Sequence, residues 1–149
     1  MKKINKKLLK SNEKNEKWDE VKILLEAHHI QPSYPRLAVG LYCLFTEDHP
    51  TAENVLEALK DLKPAISRAS VYNTLNLFVE KKLLNEIRLP DEDLVRFDPL
   101  ITPHHHFYDL KTKKVHDIPW ENFEIEAVKK LDKKFKVSDM QLLMRGTIN

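Results

Sequence analysis

Apolar residues fall at helical spacing through the first half of the chain. Trp18, Val21, Leu24, Leu25 and His28 form one stripe, which Pro32 and Pro35 are expected to stop. Leu37, Leu41, Leu44 and Phe45 form a second stripe that ends near His49 and Pro50. Thr51 is placed to cap a third helix, with Glu53 in the first turn, where the helix dipole favours negative charge. Val55, Leu56, Leu59 and Leu62 would be its buried face. After a turn at Pro64, Ser67 can cap a fourth helix with Val71, Leu75, Phe78 and Val79 inward. The opposite face of that helix presents Arg68, Tyr72, Asn73 and Asn76. Asn85–Leu89 and Leu94–Phe97 then flank Pro90-Asp-Glu-Asp93, a turn composition, and predict a β-hairpin.

Short helices followed by a hairpin is the order of a winged helix-turn-helix, whose second helix of the turn enters the DNA major groove. A helical protein-interaction module would show the same core spacing. The second half changes character. His104–Leu110 and Lys114–Ile118 read as strands joined by Lys111-Thr-Lys113. Phe123, Ile125, Val128 and Leu131 predict a helix, and Met140, Leu142 and Met144 alternate as on a half-buried strand. A unit of about 45 residues buries little surface alone, and dimerisation would relieve this. The expected fold is α+β: a basic tail over residues 1–17, a winged helix-turn-helix domain over 18–98, and an α/β dimerisation domain over 99–149.

Charge sharpens this picture. The net charge of the 149-residue chain is +2, but residues 1–17 carry seven Lys against two Glu. Residues 18–98 carry nine basic and fourteen acidic side chains, an awkward balance for a DNA binder, so affinity would rest on a few basic groups and on dimerisation. A Lys-rich tail suits an anionic partner, or is simply solvated. No apolar run is long enough to span a bilayer and no signal-peptide core is present, which reads as a cytoplasmic protein. The single cysteine, Cys43, excludes an internal disulfide and any zinc site built from several cysteines of this chain. It sits on an apolar helix face, as core rather than nucleophile.

Three consecutive histidines, His104, His105 and His106, carry the candidate chemistry. On a strand His104 and His106 share one face and His105 takes the other. Asp117 on the next strand, Asp98 at the end of the hairpin and His49 between helices are further candidate ligands. Three nitrogen and two oxygen donors without thiolate suit Fe²⁺, Mn²⁺, Zn²⁺, Co²⁺ or Ni²⁺, and five ligands leave one octahedral position open. The bland alternative is a polar surface strand. His28, His29 and His116 are weaker candidates; the first two sit at a helix end, where His interacts favourably with the helix C-terminus. A metal-dependent hydrolase built on His49, His106 and Asp117 is the competing class. Against it, the chain has no His-Glu-x-x-His motif, no nucleophile beside a base and no glycine-rich turn.

His49-Pro-Thr-Ala-Glu53, Ser67-Arg-Ala-Ser-Val-Tyr-Asn-Thr-Leu75, Arg96-Phe-Asp98 and His104-His-His106, in this order, resemble the ferric uptake regulator family over roughly residues 18 to 145. The resemblance implies an N-terminal winged-helix DNA-binding domain, a C-terminal α/β dimerisation domain and one regulatory metal site per subunit. That site would fall on His49, Asp98, His104, His106 and Asp117. It would hold Fe²⁺ or Mn²⁺, with Zn²⁺ able to occupy it in vitro. Ligation would fix the angle between the two DNA-binding domains of a homodimer and favour the DNA-competent state. Asp at position 117 resembles the peroxide-responsive branch, where iron-uptake regulators tend to have Glu. By that resemblance the chain is a repressor that releases double-stranded operator DNA after iron-catalysed oxidation of His49 or His104 to 2-oxo-histidine; with Mn²⁺ it would repress and resist peroxide.

The departures are equally specific. Many family members hold a structural zinc with two Cys-x-x-Cys pairs. The first pair would fall on Asp109 and Thr112, and the second has no counterpart after Met144, so this chain builds no such site. Iron-responsive relatives without these cysteines resemble the chain around His-His-His-Phe and Asp-Ile-Pro, and an iron- or haem-responsive regulator is the alternative reading; no haem-type Cys-Pro is present. The family's Thr-Pro-Gln-Arg is replaced by Ser33-Tyr-Pro-Arg36, which keeps only Arg36 as a DNA contact. Tyr72 is placed to meet thymine methyls, and Arg68 guanine edges or phosphates. Asn73 and Asn76 are further candidates. Arg88 and Arg96 on the wing, with lysines of the tail, would reach phosphates. No membrane partner is expected.

Overall fold

The computed structural model describes residues 14–46, 48–89, 93–122, 135, 140 and 142–148. It divides into two compact units, residues 1–101 and 102–149. Among the described residues, no helix is long and apolar enough to cross a membrane.

The first unit carries four helices and a hairpin: α1 (Lys14–Ala27), α2 (Tyr34–Cys43), α3 (Ala52–Leu59), α4 (Arg68–Glu80), β1 (Asn85–Arg88) and β2 (Val95–Asp98). Val21, Leu25, Val39, Val55, Leu59, Val71, Leu75 and Phe78 close a single apolar core among the helices. Gly40 sits where α2 crosses α1: a Cβ there would meet Val21 Cγ1 at 2.7 Å.

The helix boundaries have local causes. Thr51 caps α3 by accepting from the Asn54 amide, while the Asn54 side chain accepts from the Thr51 amide. Ser67 caps α4 through the Ser70 amide. α1 does not run on to Pro32. It ends at Ala27 because His29 turns left-handed (φ 57°), the His29 amide donates to Glu26 and the Ile30 amide to Leu25. Pro35 stops nothing: it lies in the first turn of α2, where an amide hydrogen has no helical partner anyway. α4 ends the same way as α1, at Lys82 (φ 58°). Leu62, expected on the buried face of α3, lies beyond its end and is partly buried. β1 and β2 pair antiparallel, Asn85 opposite Asp98. Residues 90–92 of the expected turn lie outside the described residues.

The second unit holds β3 (His104–Asp109), β4 (Lys114–Pro119), a 3-10 turn at Trp120–Asn122 and β5 (Leu143–Gly146). The sheet order is β4-β3-β5, with β4 antiparallel and β5 parallel to β3. The third strand begins at Leu143, so Met140 and Leu142 precede it and only Met144 of the alternating set lies on it. The expected helix over Phe123, Ile125, Val128 and Leu131 lies outside the described residues, as do residues 1–13 of the basic tail.

The β3–β4 turn is stitched by polar groups. The Thr112 hydroxyl donates to Asp109 Oδ2 at 2.6 Å and the Lys111 amide to Oδ1 at 2.9 Å. These bonds hold the buried Asp109 carboxyl below the usual carboxylate range, the Thr112 hydroxyl contributing most.

Candidate metal centre and DNA-reading face

In the second unit, the β3–β4 register sets His106 opposite Asp117, and alternation returns His104 to the same face. The Nε2 atoms of His104 and His106 lie 2.9 Å apart. Asp117 Oδ1 is 3.4 Å from His104 Nε2 and 3.8 Å from His106 Nε2. His104 Nδ1 lies 2.8 Å from the Thr102 carbonyl, which can only accept. The ring hydrogen of neutral His104 therefore sits on Nδ1 and the Nε2 lone pair faces His106 and Asp117, the arrangement a histidine ligand needs. With metal–ligand bonds of about 2.1 Å, neighbouring donors stand about 3.0 Å apart in an octahedron and about 3.4 Å in a tetrahedron. The nitrogen–nitrogen separation falls on the octahedral edge and the His104–Asp117 separation on the tetrahedral one, while the His106–Asp117 separation is wider than both, so the two imidazoles stand at ligand spacing and the Asp117 carboxylate stands slightly beyond it.

In the first unit, Thr51 bridges antiparallel to Arg96, and the Phe97 amide donates to the Pro50 carbonyl at 2.9 Å. Stepping back two residues from Thr51 and forward two from Arg96 brings His49 opposite Asp98. His49 Nε2 lies 3.7 Å from Asp98 Oδ1, both side chains buried. The Leu100 amide donates to Asp98 Oδ1 at 2.8 Å and fixes that carboxylate. Arg96 Nη1 donates to the His49 carbonyl at 3.4 Å.

The remaining histidines have other surroundings. His105 is fully buried and stacks on Trp120 at 4.6 Å between ring centroids. His28 donates from Nδ1 to the Lys81 carbonyl at 2.9 Å, tying α1 to the C-terminus of α4. His116 pairs across from Phe107, one residue out of phase with Asp117. Cys43 is fully buried, and burial pushes its thiol well above the usual range, which removes it as a nucleophile.

Residues proposed from sequence to face DNA are all in the first unit. Asn73 and Asn76 are exposed on α4. Arg36 is half-buried and donates to the Gln31 carbonyl at 2.7 Å, and the exposed Arg88 pairs with Glu86 at 2.7 Å. Tyr72 and Arg68 are engaged by a residue that spacing did not single out for this role. The Tyr72 hydroxyl donates to Glu53 Oε1 at 2.6 Å, and Arg68 Nη1 lies 3.3 Å from the same oxygen. The Arg68 guanidinium also stands 5.6 Å from the Tyr72 ring centroid. The hydroxyl of Tyr72 holds the Glu53 carboxyl below its usual range, and the carboxylate holds the phenol above its own. Glu53 was legible only as an acid in a helix first turn, and Thr102 acts through its backbone, so no side-chain signal could have found it.

Residues 27–145 match the profile of the ferric uptake regulator family. The chain belongs to that family. The ferric uptake regulation protein of Bacillus subtilis is 33% identical over 105 residues, 67% of this chain and 70% of that one. The peroxide operon regulator of the same organism is 32% identical over 112 residues, 74% and 77% of the two chains. One percentage point does not separate an iron from a peroxide regulator. A solved structure of the ferric uptake regulator from Pseudomonas aeruginosa with manganese covers 86% of this chain and 97% of its own, with a TM-score of 0.66 and 20% identity, which establishes the fold. Family membership makes this α+β chain a metal-responsive transcriptional regulator and not an enzyme. Regulators of the family bind operator DNA and act as dimers.

Proposed function

We propose that this regulator is a peroxide-sensing repressor whose regulatory ion, Fe²⁺ or Mn²⁺, is held by His104, His106 and Asp117 together with His49 and Asp98. The observation that carries the reading is the His104 ring. Its Nδ1 hydrogen is committed to Thr102, and its Nε2 faces a second imidazole nitrogen and a carboxylate. Three neutral imidazoles and two carboxylates balance a divalent charge and offer no thiolate, which suits iron or manganese as well as zinc. Five ligands leave one octahedral position for peroxide. With one cysteine in the chain, no structural zinc of the four-cysteine kind accompanies it.

Residues 18–98 would act as the DNA-binding domain and 99–149 as the dimerisation domain of a homodimer. α4 would be the recognition helix, presenting Arg68, Tyr72, Asn73 and Asn76 to base edges, with Arg36, Arg88 and Arg96 near phosphates. Metal ligation would favour the DNA-competent state.

Fe²⁺ held there would activate the O–O bond of hydrogen peroxide. In net balance one peroxide oxygen would be inserted at a ring C–H of His49 or His104, the ring would give up the two electrons, the other oxygen would leave as water, and the oxidised ring would no longer serve as a ligand. Asp117 is the feature that favours this over iron sensing, by the resemblance of that position to peroxide regulators. Intact mass and peptide mapping after peroxide treatment test it. A gain of one oxygen on His49 or His104 in the Fe²⁺ protein and not in the Mn²⁺ protein is expected. No histidine oxidation, in protein that still binds metal and DNA, would favour an iron- or other metal-responsive regulator instead.

A further inference from the structure

Glu53 places a carboxylate among the two groups of α4 best suited to read DNA, on a surface that would meet a polyanion. The ion pair is exposed: 65% of the Arg68 side chain and 42% of the Glu53 side chain remain accessible. Pairs of this kind contribute little to folding. Its effect is on what Arg68 and Tyr72 can offer a ligand. Arg68 meets Glu53 and Tyr72 through Nη1, and a guanidinium has further donors on Nη2 and Nε. Its charge is therefore balanced while donors remain for a base edge. Tyr72 has one hydroxyl hydrogen, and it goes to Glu53. The phenol oxygen accepts from Arg68 Nη1 at 3.4 Å and keeps a second lone pair, so what it offers a ligand is an acceptor, unsuited to phosphate and suited to an exocyclic amine of adenine or cytosine. Swapping Glu53 for a phosphate at Arg68 exchanges one anion for another and leaves a bare carboxylate beside the backbone.

We propose that Glu53 is a specificity-determining positioning residue, which withholds Arg68 and Tyr72 from phosphate while leaving them able to read base edges. This rests on the reading of α4 as the recognition helix. Metal ligation has a short path to it, because Glu53 lies in the first turn of the helix capped by Thr51, two residues after His49.

The test compares Glu53→Gln with the unaltered chain, both loaded with Mn²⁺ and both checked for helix content by circular dichroism. Two probes are used: a duplex selected by the unaltered protein from a random-sequence pool, and a scrambled duplex of the same composition. In Glu53→Gln, affinity for the scrambled duplex should rise about tenfold more than affinity for the selected one, and its salt slope should steepen by about one as Arg68 neutralises a further phosphate. An equal change on both duplexes, or an unchanged slope, overturns the proposal. So does a loss of binding to both with the fold intact. Arg68→Ala and Tyr72→Phe separate the two levels. If they reduce preference for the selected duplex while Glu53→Gln does not, only the role of Glu53 fails. If they change nothing, or if no duplex emerges from the pool, the recognition helix itself is misassigned and the inference falls with it.

Discussion

His104 and His106 point their Nε2 atoms at each other across 2.9 Å, and His104 is fixed in that pose by the Thr102 carbonyl. The lock comes from a backbone oxygen, which any residue at position 102 supplies. Thr102→Ala should therefore leave Mn²⁺ affinity within a few-fold of the unaltered protein. His104→Ala removes a ligand and should weaken it by about 100-fold or more, since even outer partners of ligands are worth 10–100-fold. Competition with a chromophoric chelator measures both. Equal losses in the two variants would show that the Thr102 side chain, and not its carbonyl, orients the ring.

His49 meets Asp98 because residues 49–51 run antiparallel along β2. His49→Ala keeps the Thr51 cap and the Phe97–Pro50 hydrogen bond. Its fold should persist at a lower Tm, a loss of about 1–3 kcal/mol for a lost buried ring and a buried carboxylate that loses one partner. Metal should no longer promote DNA binding. Fluorescence anisotropy on a selected duplex, with and without Mn²⁺, reads this. Chelation should release DNA from the unaltered protein, and Mn²⁺ should restore binding there but not in His49→Ala.

The sequence made visible whatever depends on local spacing. Thr51 and Ser67 were legible as caps because a side-chain oxygen reaches an amide three residues on. The shared face of His104 and His106 follows from strand alternation, and Asp117 beside them from a short turn that fixes register. His49 and Asp98 were candidates as residue types, but their approach depends on one bridge between segments 45 residues apart in sequence, Thr51 and Arg96. The grip of Glu53 on Tyr72 needs α3 packed on α4, which spacing within either helix does not encode. The end of α1 was legible at His28 and His29, but what terminates α1 and α4 was not. With two glycines in the chain, His29 and Lys82 take the left-handed positions where glycine is the usual signal.

Asp109 gives the second unit a pH dependence of known sign. Hydrogen bonds from Thr112 and Lys111 depress its folded pKa below the unfolded value. The stabilisation is therefore complete above the ordinary carboxylate pKa of about 4 and is lost as pH falls through the lower folded value. Asp109→Asn should lower Tm at pH 7 and show a smaller further drop as pH falls below about 4. Thr112→Val should act in the same direction, because its hydroxyl is the main cause of the depression. A Tm series against pH checks this, and an unchanged acid limb in both variants would remove Asp109 from the account.

Gly40 sets two physical effects against each other. In the middle of α2 a glycine costs about 1 kcal/mol relative to alanine, so Gly40→Ala should stabilise if helix propensity decides. The packing argues the other way. A Cβ at position 40 would stand 2.7 Å from Val21 Cγ1, with Phe78 and Leu44 at 3.6 Å behind it. Val21 is fully buried and β-branched, so its methyl cannot swing clear within a favoured rotamer. Overpacking of this kind costs about 1–3 kcal/mol, which exceeds the propensity gain, and Gly40→Ala should lower stability by a net of about 1 kcal/mol. Shortening the obstructing side chain reverses the balance. In a Val21→Ala background the new Cβ fills the space left by the lost methyl groups, and Gly40→Ala should then be neutral or stabilising. Urea unfolding of the four proteins of this cycle gives the coupling directly. A Gly40→Ala variant as stable as the unaltered chain would mean that relieving the contact with Val21 costs no more than the helix-propensity gain of about 1 kcal/mol.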